Sequence, residues 1–234
     1  MNYSKMFTAA ALQEFIKVFN SGEFYTGLWA TIYSTLLSTF FALVLGIPLG
    51  VLLVVGEKGG VLPLPKWLMR ILNTVINILR SVPFLILMVM VIPLSRAIVG
   101  TSVGTIGMIV PLTIASFPFI ARLVESSIRE VDSGVIEAAE SMGSTPLQII
   151  TKVLIPESVP SLIGQITTAI TTILGYGAMA GSIGGDGLGK IAISYGYNRG
   201  KPLIMVVAVI LLVLLVILIQ TIGSKIGQKS DKRK

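Results

Sequence analysis

The chain lacks two residue types that carry much of enzyme chemistry, and it is poor in charge. Its 234 residues contain no cysteine and no histidine. Disulfide bonds, thiol nucleophiles, imidazole bases and the common zinc ligands are therefore excluded. Charged residues make up 12% of the chain, whereas a typical soluble domain has about 25%. This composition is not that of a soluble enzyme domain.

Apolar residues take the place of the missing charge. They make up 53% of the chain, and the mean hydropathy is +0.89. These values predict a protein embedded in membrane lipid. The formal net charge of +7 does not indicate a nucleic-acid partner, because the basic residues stand at the ends of apolar runs and not in one patch or stripe.

A bilayer span takes about 20 residues. Four apolar runs supply a span directly, whereas the run 82–94 has thirteen residues and spans a bilayer only if the helix extends back through Ile71. The sequence predicts one all-α transmembrane domain over residues 1–234, a polytopic helical bundle with spans at about 28–55, 71–94, 106–124, 159–180 and 203–222. The first 22 residues predict an amphipathic helix in the membrane interface, with Leu12, Phe15, Ile16 and Phe19 on its apolar face. The spans contain no Asp, Glu or His, so the paired groups of acid–base catalysis are absent from them and no enzyme activity is expected.

Two polar stripes lie within the predicted spans. One consists of Asn73, Asn77 and Arg80, and the other of Gln165, Thr168 and Thr172. Polar side chains at membrane depth face protein or water. Each stripe therefore has two interpretations. The first is a packing role, through contact with a neighbouring helix, for the threonines also through bonds to their own backbone, and for Arg80 also at the membrane interface. The second is the lining of a translocation pathway.

The longest polar interruption, the loop 125–157, predicts two short helices. Gly143 has the place of a residue just past a helix end. Thr145, Pro146 and Gln148 have the spacing of a capping box with proline at the first helical position. Pro156 is expected to end the second helix, because its ring clashes with the preceding turn.

The same loop resembles the EAA loop of bacterial ABC importer permeases. The residues that carry this resemblance are Glu137, Ala138, Ala139, Gly143, Val153, Ile155 and Pro156, with Val153 and Ile155 standing where the family usually has Ile and Leu. Further segments at 79–102, 111–125 and 175–189 are similar to the methionine-uptake branch. The resemblance implies a type I importer permease whose loop, on the cytoplasmic side, is a coupling helix that docks on an ATPase.

The resemblance also implies the partners and the function. It implies a homodimer, two copies of an ATPase that bind ATP and Mg²⁺, and an extracytoplasmic substrate-binding protein. The expected function is the permease subunit of an importer for methionine, in the L form and as a further candidate the D form. A permease for another amino acid or a small peptide, and an ATP-independent channel or scaffold, remain as alternatives.

No cofactor is expected on this chain itself. Residues 184–190 have the spacing of a phosphate-binding loop, but Ile191 stands where Ser or Thr would hold Mg²⁺. ATP chemistry is therefore expected on a partner. The loop 125–157 contains six acidic and two basic residues, a balance that disfavours simple attraction to anionic lipid and favours a protein partner.

Basic residues predict the orientation of the chain in a bacterial plasma membrane. Eleven of them flank the spans on the side of the C-terminus: Lys58, Lys66, Arg70, Arg122, Arg129, Lys152, Lys225, Lys229, Lys232, Arg233 and Lys234. Six lie on the other side: Lys5, Lys17, Arg96, Lys190, Arg199 and Lys201. The positive-inside rule then predicts a cytoplasmic C-terminus and an outer N-terminus.

Met179 is a candidate gate residue at the outer end of the fourth span. It lies between small residues in the run Gly175–Gly181, and small residues allow close helix approach across a dimer axis. A flexible thioether there is suited to closing a narrow pore, and it is equally suited to ordinary helix packing.

Overall fold

The structure, a computed structural model, describes residues 8–230, and helices account for most of them. The helices are α1 (Ala9–Asn20), α2 (Glu23–Val55), α3 (Lys66–Ser81), α4 (Phe84–Val99), α5 (Gly104–Arg129), α6 (Ser133–Ser141), α7 (Pro146–Ile149), α8 (Ile155–Ala180), α9 (Leu188–Ile191) and α10 (Pro202–Ser230). Two π-helical segments, Ile150–Leu154 and Ala192–Asn198, and a 3₁₀ turn at Gly181–Ile183 adjoin them. No β-strand occurs within residues 8–230, so the predicted all-α class is confirmed.

Within residues 8–230, four helical segments are long and apolar enough to cross a membrane: α2, α5, Pro146–Ile183 and α10. The α3 and α4 helices pass the same test only when they are counted together, which makes up to five spans. Four of the predicted spans, 28–55, 106–124, 159–180 and 203–222, fall within α2, α5, α8 and α10.

The expectation of one continuous helix over residues 71–94 is wrong. The chain leaves the helical conformation at Val82, whose φ of −77° and ψ of 125° are extended, and α4 begins at Phe84. Pro83 is the physical reason, because its ring disfavours helical backbone at the residue before it.

The predicted amphipathic helix near the N-terminus is present as α1. Thr8 caps it by accepting a hydrogen bond from the Ala11 amide at 3.4 Å. Phe15 contacts Phe24 of α2 with the ring centres 5.9 Å apart, whereas Ile16 and Phe19 are exposed. Four of the basic residues in the charge count, Lys5, Lys232, Arg233 and Lys234, lie outside the described residues.

The chain divides into two compact units, and α2, α5, α8 and α10 contribute to both. Within residues 8–230 the first unit comprises 8–39, 83–113 and 170–219, and the second comprises 40–82, 114–169 and 220–230.

The first unit is built around the segment that follows α8. Leu188 and Ile191 of α9 are buried with Phe24 of α2 and Ile204 of α10. Gly187 has a φ of 111°, and a Cβ there would lie 2.6 Å from Thr31 Oγ1. Glycine thus allows the backbone to approach α2 so closely that the Leu188 amide donates to Thr31 Oγ1 at 2.9 Å.

The second unit depends on close packing of α2 against α5. A Cβ on Gly50 would lie 2.5 Å from the Ala121 carbonyl oxygen and 2.6 Å from Val124 Cβ. A Cβ on Gly46, one turn earlier, would lie 2.7 Å from Ile120 Cγ2. Glycines four residues apart lie on one face of a helix and allow two membrane helices to approach closely, which positions α5 and the segment that follows it.

Candidate functional site

The predicted coupling segment folds as two short helices joined by a tight turn. Asp132 begins α6 by accepting a hydrogen bond from the Gly134 amide at 2.6 Å. After α6, the Gly143 amide donates to the Glu140 carbonyl at 2.9 Å and the Ser144 amide to the Ala139 carbonyl at 3.1 Å. These two bonds form a Schellman motif, which requires a left-handed residue at its centre. Gly143 supplies that residue with a φ of 76°.

The α7 helix begins with the predicted capping box. The Thr145 amide donates to Gln148 Oε1 at 2.8 Å, and the Gln148 amide donates to Thr145 Oγ1 at 3.4 Å. Pro146 follows at the first helical position, where a missing amide is not needed. These local bonds fix the direction in which the chain leaves the Gly143 turn.

The expectation that Pro156 ends the second helix is wrong. The chain continues from α7 through the π-helical segment Ile150–Leu154 into α8, and Pro156 lies in the first turn of α8. The Ile155 amide donates to the Ile150 carbonyl, five residues back. The π turn replaces the usual bond to the carbonyl four residues back with a bond to the carbonyl five residues back. The proline follows this change of pattern, and the helical path continues past it.

The side chains of the coupling segment divide into a packed set and an exposed set. Ala139, Ile149 and Leu154 are buried, and Val153 and Ile155 are half-buried. The exposed set includes Glu137, Ala138, Glu140, Met142, Gly143, Leu147 and Pro156. Met142 and Leu147 are 79% and 70% exposed, so two large apolar side chains and two carboxylates stand on an accessible surface beside the Gly143 turn.

Asn73 and Asn77, predicted on one polar face, bind the same residue. Arg122 Nη2 of α5 donates to Asn73 Oδ1 at 2.8 Å and to Asn77 Oδ1 at 3.0 Å. For these two residues, the contact agrees with the interpretation in which the stripe packs against a neighbouring helix. Arg80, the third residue of the stripe, is exposed and is not part of this group.

Arg122 belongs to a wider charged network that the sequence analysis missed. Its Nη1 contacts Glu125 Oε2 at 2.6 Å, and Glu125 Oε1 accepts from Arg129 Nη2 at 2.9 Å. Arg129 also contacts Glu57, just beyond α2, at 2.5 Å. The spacing of Arg122, Glu125 and Arg129, three and four residues apart, is a signal that would have predicted their part of this network.

The second polar stripe lies along one face of α8. Thr168 Oγ1 donates to the carbonyl of Gly164 at 3.1 Å, a bond to its own helix. Gln165 and Thr172 are half-buried, whereas Thr168 and Met179 are exposed. A Cβ added at Gly164 or at Gly175 would meet no atom within 4 Å, so this face of the helix is open at these two positions and at Thr168 and Met179.

The first unit contains a further contact that the sequence did not predict, between Tyr195 and Glu23. Tyr195 Oη donates to Glu23 Oε1 at 2.7 Å, and the Arg199 guanidinium lies 4.4 Å from the centre of the Tyr195 ring. The hydrogen bond to Glu23 raises the pKa of the Tyr195 phenol, because ionisation would place two anions side by side. No spacing in the sequence connects these two residues.

The fold and the coupling segment define a class of membrane transport protein, and comparison with known proteins agrees. The family model for the inner membrane component of binding-protein-dependent transport systems matches residues 46–232. The chain belongs to this family, and it is a permease subunit of a transport system, not an enzyme. The match excludes the interpretation of the chain as a channel or scaffold unrelated to such systems.

Individual relatives match over nearly the full length. The probable D-methionine transport system permease protein MetI of Vibrio cholerae serotype O1 is 49% identical over 215 residues, which cover 92% of this chain and 95% of that protein. The protein of the same name from Pasteurella multocida is 44% identical over 203 residues, covering 87% and 93%.

Solved structures show the same fold. A chain of the MetNI methionine ABC transporter, in an inward-facing conformation, is 44% identical and has a TM-score of 0.87. The match covers 89% of this chain and 96% of that chain. A chain of an amino acid ABC transporter crystallised with histidines has a TM-score of 0.75 at 18% identity, which shows the shared fold alone.

Proposed function

We propose that the chain is the permease subunit of an ATP-driven importer of methionine. The observation that carries the proposal is the 49% identity to a probable D-methionine permease over 92% of the chain. The 44% identical chain of a methionine transporter supports the same solute. Because the relatives named for D-methionine match so closely, both the L and D forms are proposed as solutes.

The proposed assembly is a homodimer of this chain with two copies of an ATPase and an extracytoplasmic substrate-binding protein. The surface beside the Gly143 turn supports the ATPase contact, because exposed Met142 and Leu147 offer apolar area and Glu137 and Glu140 offer charge. Apolar anchors surrounded by polar residues are typical of protein interfaces. ATP and Mg²⁺ would be held by the ATPase and not by this chain.

The proposed mechanism is alternating access, in which closure of the ATPase dimer draws the two coupling segments together. The Schellman turn and the capping box make the segment stiff, and the π segment joins α7 to α8 without a flexible loop. A force on α7 would therefore be transmitted to α8, and rigid-body movement of helices is a common form of such transitions.

The open face of α8 is proposed to line the pathway, with Gln165, Thr168, Thr172 and Met179. Its exposed or half-buried hydroxyl and amide groups suit a zwitterion with a neutral side chain. Asn73 and Asn77 are not proposed for this role, because Arg122 occupies their amide oxygens. Arg80 remains a candidate for the pathway or for the membrane interface.

The test is uptake of radiolabelled L-methionine by cells that express this chain with its ATPase and its substrate-binding protein and lack other methionine importers. We expect uptake that depends on ATP and is reduced by an excess of unlabelled L- or D-methionine, but not by leucine or histidine. Competition by another amino acid and not by methionine would contradict methionine as the solute, but it would not contradict the assignment of the chain as a permease. Methionine flux into ATP-free proteoliposomes would instead contradict the ATP-driven mechanism.

A further inference from the structure

We propose that the connector between α2 and α3, together with the first turn of α3, binds the head group of an anionic phospholipid. A cavity of about 480 Å³ lies here, and Lys58, Lys66 and Arg70 line it. The inference concerns a lipid and does not depend on the identity of the transported solute.

The charges around this cavity are unbalanced. Glu57 is the one acidic residue among those that line it, and its carboxylate contacts Arg129 at 2.5 Å. Within residues 8–230, no ion pair involves Lys58, Lys66 or Arg70. Three cations therefore line a cavity whose one lining carboxylate is already paired, which favours an anionic ligand.

The connector is held in place by its own backbone. The Leu62 amide donates to the Val55 carbonyl and the Leu64 amide to the Gly56 carbonyl, both at 3.0 Å. A Cβ on Gly56 would lie 2.8 Å from Met69 Sδ, so the connector packs tightly against α3. Lys58 is therefore presented by an ordered connector and Lys66 and Arg70 by the helix α3. Such order lowers the entropy lost when a ligand binds.

The α3 helix has three faces, and two of them suit a phospholipid. Met69 and Ile76 are buried against the core of the second unit. Lys66 and Arg70 lie four residues apart on a polar face. Between these faces runs an exposed apolar stripe of Trp67, Ile71, Val75 and Ile78.

This arrangement distinguishes a lipid from a free phosphate. A soluble anion would need only the cations, whereas the apolar stripe begins beside them and extends along the helix for about three turns. A phosphate group at Lys66 and Arg70 would leave acyl chains against Trp67 and Ile71. Tryptophan and basic residues are enriched at this depth of the membrane, and basic pockets between helices bind acidic head groups.

The two tryptophans of the chain allow a direct test. Trp67 and Trp29 are 64% and 62% exposed, and Trp29→Phe leaves Trp67 as the only tryptophan. The full chain is reconstituted in phosphatidylcholine vesicles that contain brominated phosphatidylglycerol or brominated phosphatidylcholine, both of which quench tryptophan on contact. We expect stronger quenching of Trp67 by the anionic lipid at equal mole fraction.

The reciprocal variant Trp67→Phe is the first control, and Trp29 should then be quenched equally by both lipids. Lys66→Gln with Arg70→Gln should abolish the preference at Trp67, with a loss of about fivefold in relative affinity for each cation removed. The matched control, Lys225→Gln with Lys229→Gln, removes two exposed cations of α10 and should leave the preference unchanged.

Three outcomes would overturn the proposal. Equal quenching of Trp67 by the two lipids would show that no anionic lipid is enriched there. Loss of the preference when sodium phosphate replaces chloride at equal ionic strength would show that the site takes a free anion. Protection of Trp67 from both brominated lipids would show that a protein surface covers the stripe.

Discussion

Arg122 Nη2 donates hydrogen bonds to Asn73 Oδ1 at 2.8 Å and to Asn77 Oδ1, and so joins α5 to α3. The same guanidinium contacts Glu125 at 2.6 Å, and the two side chains are only 21% and 12% exposed. One cation thus serves three acceptors in a partly buried place. The α5 helix runs on towards the coupling segment, so this contact fixes α3 to the helix that precedes it.

We expect Arg122→Ala to destabilise the protein by about 1–3 kcal/mol, because Glu125 Oε2 and two amide oxygens lose their donor, while Glu125 Oε1 keeps Arg129. Thermal unfolding of the purified chain in detergent measures the effect. Arg80→Ala is the matched control. It removes an exposed arginine from the face of α3 that carries Asn73 and Asn77, and it should change stability by less than about 0.5 kcal/mol. Equal losses in the two variants would contradict this role for Arg122.

Gly143→Val should weaken transport and binding of the ATPase while membrane insertion remains normal. The φ of 76° at this position costs a residue with a Cβ about 1 kcal/mol or more, and β-branched valine more than alanine. Co-purification with the ATPase and uptake are the two measurements.

The control for this change is Gly100→Val. Gly100 has a φ of 77° and, like Gly143, no atom within 4 Å of an added Cβ. Valine at position 100 would carry the same backbone strain outside the coupling segment, so ATPase binding should be unaffected. Normal co-purification of the Gly143 variant would refute the proposed docking turn.

Gly50→Leu should disrupt the packing of α2 against α5, because no side chain fits between Gly50 and the Ala121 carbonyl. Overpacking at such a contact costs about 1–3 kcal/mol, and more where backbone must move. Thermal unfolding and the yield of folded protein measure the loss. Gly227→Leu adds the same side chain in α10, where an added Cβ meets only Ile163 Cγ2 at 3.6 Å, and a comparable loss there would argue against a steric cause.

Met179→Cys should form a disulfide with its twin in the proposed homodimer under mild oxidation. The chain has no other cysteine, and Met179 is 49% exposed on the open face of α8. Trapping the ATPase dimer closed with nucleotide should reduce the cross-link, because the outer gate then opens. Tyr197→Cys, an exposed position outside α8, is the control. Absence of a disulfide in both states of a dimeric protein would assign Met179 to packing.

The proposed orientation predicts which cysteines an impermeant thiol reagent can reach in intact cells. We expect labelling of Asn20→Cys, at the end of α1, and no labelling of Ser230→Cys, at the end of α10, until the cells are permeabilised. The basis is the excess of Lys and Arg on the side of the C-terminus. The opposite pattern would reverse the topology and place the coupling segment outside the cell.

The sequence by itself determined the membrane class and the local geometry of the coupling segment. Long apolar runs specify spans because a bilayer core has a fixed thickness. The capping box at Thr145 and the left-handed turn at Gly143 depend on bonds between residues at most five positions apart, so spacing alone predicts them. Pro83 also acts locally, and its effect on Val82 could be predicted from the sequence. The run 82–94 is too short to cross a bilayer alone, however, and this favoured one helix extended back through Ile71.

Only the tertiary structure decided which helices share their polar groups. Asn73 and Arg122 are 49 positions apart along the chain and yet share a hydrogen bond, and Glu57 contacts Arg129 although 72 positions separate them. Periodicity places a residue on a face of its own helix but does not say which helix that face meets. The π segment before Pro156 also appears only in the structure, because the sequence showed a helix breaker and not the Ile155-to-Ile150 bond through which the helical path continues.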